Sequence, residues 1–306
     1  MKLSVVTTLY QSAPYIDEFY HRMRAVAEKI TQDYEIIFVV DGESDHTLNQ
    51  IVEVQRKDPG LVVVDLSRNF GHHHAIMTGL SYATGERIFL IDSDLEEEPE
   101  WLIPFAAAYD QGKVDVIFGV QKRRKGGLLE RISGALFYWV FNMLASPKIR
   151  PNAVTARLMS RRYVHHLLQF KERALFLFGL WELAGFQQKT LPVDKKSKGT
   201  STYSLSKRVD LFVNALTSFS VKPLVFIFYF GTLLSFVSFL YIVFLAYKKL
   251  VIGVPIEGWT SLIVSVWFLG GLIILSIGCL GIYISKIFIE VKLRPRSIIR
   301  DVYKSD

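Results

Sequence analysis

The chain of 306 residues holds one cysteine, Cys279, which rules out an internal disulfide. Acidic residues are in deficit: 29 Asp and Glu face 36 Lys and Arg, for a formal net charge of +7. Two long stretches, 223–247 and 258–285, carry no charge at all. A helix needs roughly 20 apolar residues to cross a bilayer core, so either stretch suffices. Buried helices of soluble proteins seldom run so far without a charge. The opening "MKLSVVTTLYQSAPY" has too short an apolar segment for a signal peptide, so residues 1 to about 200 are expected to stay cytosolic.

What is present organises around those two runs. The linker between them, "KKLVIGVPIE", is short and predicts a hairpin. Lys207, Arg208 and Lys222 precede the first run, and Lys286, Lys292, Arg294, Arg296 and Arg300 follow the second. This bias places both ends in the cytoplasm, and Lys248 and Lys249 in the linker weaken the asymmetry without reversing it. Basic residues gathered beside membrane runs point to anionic lipid, and a nucleic-acid role is not expected.

Before the runs, five short segments rich in Val and Ile read as strands: 3–10, 34–40, 61–66, 87–92 and 114–119. Helical patterns at about 14–30, 45–57, 72–83 and 99–111 alternate with them, which predicts an α/β domain with a mainly parallel sheet. Ligands of such sheets bind beyond the carboxyl ends of the strands. Asp41 ends the second strand there, and Asp92 and Asp94 end the fourth.

The fourth strand runs into "IDSDLEEEPE", which adds Glu96, Glu97, Glu98 and Glu100 to the aspartates. Residues two apart on an extended segment share a side, so Asp92 and Asp94 can aim two carboxylates into one crevice, with Ser93 between them. Mg²⁺ or Mn²⁺ prefers such oxygen ligands, together with substrate phosphates. The glutamates suit a helix start, with Pro99 in its first turn and Glu96 near enough to support the pair. The run "GHHHA" (71–75) invites a metal reading. Consecutive helical residues point different ways, however, so three histidines cannot meet one ion, and a helix start facing solvent or donor fits better.

"VVTTLYQS", "VVDGESD", "LSRNFGHHHAIMTGLSYATG" and "IDSDLEEEPE" together resemble the family 2 glycosyltransferases with a GT-A-type, Rossmann-like fold. With the two apolar runs and the closing "GIYISKIFIEVKLRPRSII", the chain looks like the polyprenyl-phosphate branch, which includes dolichyl-phosphate mannose synthase. The resemblance implies a cytosolic GT-A-type domain (1–202), an interfacial amphipathic segment (203–222), a transmembrane hairpin (223–285) and a juxtamembrane tail (286–306). It assigns Thr8, Leu9, Tyr10, Asp41, Arg68, Asn69 and Ser93 to the nucleotide-sugar donor. Asp92 and Asp94 fall to the diphosphate and its Mg²⁺ or Mn²⁺.

Two departures bear on the acceptor. Relatives usually carry Gly-Asp-aromatic-Arg where this chain has "PNAVTARLMSRR": Thr155 replaces the aspartate and Arg157 is kept. A sugar hydroxyl acceptor needs a base, whereas a phosphate is already anionic near neutral pH. The change therefore suits a lipid phosphate, with Arg157 in the catalytic set. Before the membrane, "KKSKGTSTYS" matches the family's Arg and "G-x-S-K-Y" at Lys196, Gly199, Ser201 and Tyr203, while Thr202 replaces the usual lysine. Lys195, Lys196 and Lys198 can supply phosphate-binding charge, and a flexible basic loop near anionic lipid is the plainer alternative. The apolar, aromatic segment 126–146 fits an interfacial helix with Phe137, Tyr138 and Trp139 at the lipid, or a core helix.

The expectation is thus a metal-dependent, inverting glycosyltransferase of the inner (cytoplasmic) membrane, moving one sugar from a nucleotide sugar to polyprenyl phosphate. Relatives imply a homo-oligomer, a tetramer being one form. The alternatives are a hydroxyl acceptor on a glycan or lipid-linked sugar, and an inactive scaffold or flippase partner.

Overall fold

The computed structural model describes residues 2–42, 46–121, 128–196, 205–247, 251 and 258–305. Strands β1 (Leu3–Leu9), β2 (Tyr34–Val40), β3 (Leu61–Leu66) and β4 (Arg87–Leu90) are joined through helices α1 (Ile16–Ile30), α2 (Thr47–Gln55) and α3 (His72–Tyr82). These strands are buried on both faces, which is why they read as unbroken apolar runs. All pair in parallel, in the spatial order β4-β1-β2-β3. The strand order reverses on either side of β1, so a crevice opens past the carboxyl ends of β1, β2 and β4.

The rest of the sheet departs from the parallel expectation. A turn of 3-10 helix (Pro99–Trp101) and α4 (Leu102–Asp110) lead to β5 (Val116–Gln121), and α5 (Leu128–Leu144) leads to β6 (Ala153–Ser160). Strand β6 inserts between β4 and β5, antiparallel to both. Helices α6 (Arg161–Leu167) and α7 (Leu177–Leu183) follow, and β7 (Gln188–Val193) pairs in parallel with β5. The sheet is therefore mixed, with eight strands among the described residues in the order β7-β5-β6-β4-β1-β2-β3-β8, where β8 is Ile299–Tyr303.

Two cores flank it. One packs Phe19 and Met23 of α1, Ile51 of α2 and Phe105 of α4 on the sheet. The other packs Ile76 and Leu80 of α3, Tyr163 of α6 and Leu180 and Trp181 of α7. Each such side chain contributes about 1.5–3 kcal/mol on burial. Gly79 lets α3 lie close: a Cβ there would stand 2.6 Å from Val6 and 2.8 Å from Val39.

Beyond the sheet, α8 (Leu205–Phe219) precedes α9 (Lys222–Tyr247) and α10 (Trp259–Val291). Two spans, Lys222–Leu245 and Ser265–Val291, are long and apolar enough to cross a membrane, with mean hydropathy 2.1 and 2.3 and neither buried in the protein. Helix α5 packs Phe137 and Tyr138, expected at the lipid, partly against a core cluster, and leaves Trp139 exposed. Phe137 stacks on Phe141 and meets Phe212 of α8, while Leu136, Trp139 and Met143 are exposed. The start of α9 is tied to α5: Lys222 Nζ donates to the Met143 carbonyl (2.6 Å) and Ser220 Oγ to that of Leu144 (2.5 Å).

The last residues do not form a free tail. Glu290 near the end of α10 accepts from the backbone N–H groups of Arg173 (2.7 Å) and Ala174 (3.0 Å). Ser297 bonds Thr78 of α3 at 2.7 Å. Strand β8 (Ile299–Tyr303) then pairs antiparallel with β3 and becomes the edge strand of the sheet. The edge thus passes from apolar β3 to a short, charged strand, a common way of blunting edge pairing, and the ladder fastens the end of α10 to the domain.

Candidate active site

Three strand ends converge. Asp41 follows β2 and is almost completely buried. Its two oxygens accept from the N–H groups of Phe70 (2.7 Å) and Gly71 (3.0 Å). The loop it holds approaches so closely that a Cβ on Gly42 would lie 2.3 Å from Asn69 N. Asp41, expected at the donor, thus spends its carboxylate on shaping the loop that presents Arg68 and Asn69. Both of those are exposed, and the Arg68 guanidinium stacks over Phe70 at 4.1 Å.

At the β1 end, Leu9 is buried in the core, Tyr10 is half exposed and Thr8 is partly exposed. Gln11 adopts φ 53, a turn conformation that costs a non-glycine residue energy and recurs at binding sites. Ser93 is also turned inward: its hydroxyl donates to the Thr8 carbonyl (2.9 Å) and lies 3.3 Å from Ser12 Oγ. It braces β4 to β1.

Asp92 and Asp94 stand on a turn rather than an extended strand, since β4 ends at Leu90. Leu95 takes φ 61, and Asp94 Oδ1 accepts from the Glu96 N–H at 3.0 Å. Both carboxylates lie past the end of β4, and burial, then the Asp92 charge, raises the Asp94 pKa. Asp92 Oδ1 is buried without a hydrogen-bond partner, 3.4 Å from His72 Nε2. Among the described residues no three His, Cys, Asp or Glu side chains form a ready cation cage. Two clustered carboxylates and an unsatisfied buried oxygen fit a hard cation completed by phosphate oxygens.

Beneath this turn lies a group read from sequence as helix-start charge. Glu97 is completely buried, and burial pushes its carboxyl up to about 8, with the Asp92 charge adding to the rise. Its Oε1 accepts from the Thr155 N–H at 3.0 Å and faces Lys195 Nζ at 3.5 Å. Lys195 also lies 3.4 Å from Glu96. Burial works against its charge, but Glu97, Asp92, Asp94 and Glu96 outweigh it, so the ammonium keeps its proton. Lys196, the family match, turns outward to Glu98 at 2.8 Å. Lys198, Ser201 and Tyr203 lie outside the described residues.

Arg157 is completely buried on β6, paired in register with Leu90. Its guanidinium lies 3.0 Å from the Trp181 ring centroid, and Nε donates to the Thr155 carbonyl at 3.1 Å. Burial lowers its pKa to about 9. It borders a small cavity lined by Arg150, Phe118, Phe178, Trp181 and Glu182, so as folded it stabilises this wall instead of presenting an open phosphate site. The three histidines separate as their helical spacing requires, with half-buried His73 against the Leu175 carbonyl and only His72 of the three in contact with Asp92.

Comparison with known proteins agrees with this architecture. The profile described as Glycosyl transferase family 2 matches residues 4–168. A Mycobacterium tuberculosis protein whose name places it among glycosyltransferases is 48% identical over 100% of this chain and 90% of its own. The Shigella flexneri protein named "SfII prophage-derived bactoprenol glucosyl transferase" is 34% identical over 100% of both chains. Among solved structures, mannosyl-3-phosphoglycerate synthase from Rubrobacter xylanophilus shares the fold, with TM-score 0.50 and 15% identity over 71% of this chain and 72% of its own. The aspartate turn, the mixed sheet around it and full-length relatives above 30% identity make this chain a member of glycosyl transferase family 2.

Proposed function

We propose that the protein transfers one sugar from a nucleotide sugar to polyprenyl phosphate at the cytoplasmic face of the inner membrane. The observation that carries this reading is the 34% identity, extending through both apolar helices, to a protein named for glucosyl transfer to bactoprenol. The site chemistry supports it. In the proposed reaction a phosphate oxygen of the lipid attacks the anomeric carbon, inverting it. The bond from that carbon to the donor diphosphate breaks, and the nucleoside diphosphate leaves with the electron pair. A bound Mg²⁺ or Mn²⁺ would offset charge developing on that leaving group.

Asp92 and Asp94 are the proposed cation ligands, and protonated Lys195 adds a fixed positive charge beside them. Thr8 and Tyr10 stand at the crevice for the donor, with Arg68 and Asn69 on its loop. The phosphate acceptor needs no base at Thr155, whose backbone N–H instead anchors Glu97. The two spans carry the domain on the membrane as a hairpin with both ends cytoplasmic, and assembly into a homo-oligomer belongs to the same reading.

The test supplies purified protein with radiolabelled nucleotide sugars and undecaprenyl phosphate. A lipid-soluble product that releases sugar under mild acid supports the reading. Transfer only to a lipid-linked sugar hydroxyl would replace it with the other acceptor class.

A further inference from the structure

His72 begins α3 and is half exposed to the crevice, unlike its neighbours. His73 is half-buried with its Nδ1 3.1 Å from the Leu175 carbonyl oxygen, and His74 is half-buried as well. His72 Nδ1 lies 3.0 Å from Thr8 Oγ1, and Nε2 lies 3.4 Å from Asp92 Oδ1. One ring therefore joins the end of β1 to the carboxylate just past β4.

The hydrogen-bond logic is specific. A neutral imidazole carries one N–H. With the Thr8 hydroxyl donating to Nδ1, that N–H sits on Nε2 and points at Asp92 Oδ1. This is the same buried oxygen that has no other hydrogen-bond donor in range among the described residues. Contacts of this length in empty sites shorten when the ligand arrives. Carboxylates that hold cations are themselves held by hydrogen bonds, and loss of such support typically costs about 10- to 100-fold in metal affinity or activity.

We infer that His72, backed by Thr8, is a positioning residue that fixes the Asp92 carboxylate for a divalent cation. The inference rests on the cation reading of the aspartate pair and adds a residue to it. The histidine run thus has one member with a task at the site, and that task is to orient a ligand.

The test is a Mn²⁺ titration of the detergent-purified full chain, following free Mn²⁺ by electron paramagnetic resonance with no lipid acceptor present. His72→Ala should weaken binding about 10-fold or more. His72→Gln, whose amide can donate to Asp92, should recover most of it, and Thr8→Val should show a smaller loss. The KM for nucleotide sugar in His72→Ala should rise at limiting Mn²⁺ and return toward wild type at saturating Mn²⁺, which a general folding defect would not produce. Wild-type Mn²⁺ affinity in His72→Ala, with binding still lost in Asp92→Asn, overturns the role of His72 and leaves the cation reading intact. Absence of Mn²⁺ binding in the wild type overturns both. Should His72→Ala fail to fold, His72→Phe is compared with His72→Gln, and equal affinities overturn the inference.

Discussion

The ammonium of Lys195 stands 3.5 Å from Oε1 of Glu97, a carboxyl group with no exposed surface. The lysine is the positive centre of an acidic nest that also holds Asp92, Asp94 and Glu96. Charged hydrogen bonds of this kind contribute about 1.5–3 kcal/mol, or roughly 10- to 100-fold in rate if lost at the transition state. Lys195→Ala should therefore lower kcat/KM for sugar transfer by about that factor. Lys196→Ala, which breaks an exposed pair with Glu98, should change it only a few-fold. Equal effects of the two variants in a steady-state assay would contradict the placement.

Asp92→Asn and Asp94→Asn should abolish transfer while membrane insertion and expression stay normal. Excess chelator should do the same to the wild type, and added Mg²⁺ or Mn²⁺ should restore it. Full activity in chelator would remove the cation from the mechanism.

Arg157 should behave first as a wall residue. Truncating a large buried side chain costs about 2–5 kcal/mol, so Arg157→Ala should lower the Tm by several degrees. Arg157→Lys keeps the charge but loses the flat face laid on Trp181, and should fall between alanine and wild type in Tm and in transfer rate. A wild-type Tm in Arg157→Lys would show that the stack contributes nothing.

Topology can be read with cysteines. Gly253→Cys, in the linker between the apolar helices, should react with an impermeant thiol reagent applied outside sealed cells. Ser305→Cys, beyond β8, should react only after the cells are opened. Labelling of both from outside would refute the hairpin.

Acid should weaken the domain through Glu35. Burial acts to raise its pKa, but hydrogen bonds from Ser4 (2.5 Å) and Thr84 N (2.6 Å), with Lys2 at 3.0 Å, outweigh this and lower it below 4.5. A depressed folded pKa gives stability that is present above the unfolded value and is lost as pH falls through the folded one. The Tm of the wild type should thus drop more steeply than that of Glu35→Gln as pH falls through and below the ordinary glutamate value of about 4.3. Parallel Tm curves would exclude Glu35 as a source of the acid sensitivity.

Much of the fold was legible because its signals are local. Strands β1 to β5 are runs of apolar residues a few residues long, and α1 to α4 alternate with them at the spacing a parallel sheet demands. The apolar runs ending at Tyr247 and Ser285 needed only length and charge to be read. Asp92 and Asp94 stood out in the sequence because a strand end in such a sheet is a known place for ligands.

What stayed hidden depends on contacts between distant segments. Strand β8 is short and charged, "IRDVY", and becomes a strand only because β3 offers it an unpaired edge. Nothing in "KKSK" separates Lys195 from Lys196. Adjacent side chains on an extended backbone point to opposite sides, and the backbone bond from Lys196 N–H to the Glu96 carbonyl at 2.8 Å sets which one faces the acids. Glu97 is written as one of three consecutive glutamates, yet β6 inserts beside β4 and leaves it, alone of the three, fully buried. The sequence by itself thus determined the first five strands, the helices between them, the two apolar runs and the position of Asp92 and Asp94 past β4. Only the tertiary structure decided which lysine, which glutamate and which histidine reach the aspartate turn, because burial and side-chain direction are properties of the packed sheet and not of the local pattern.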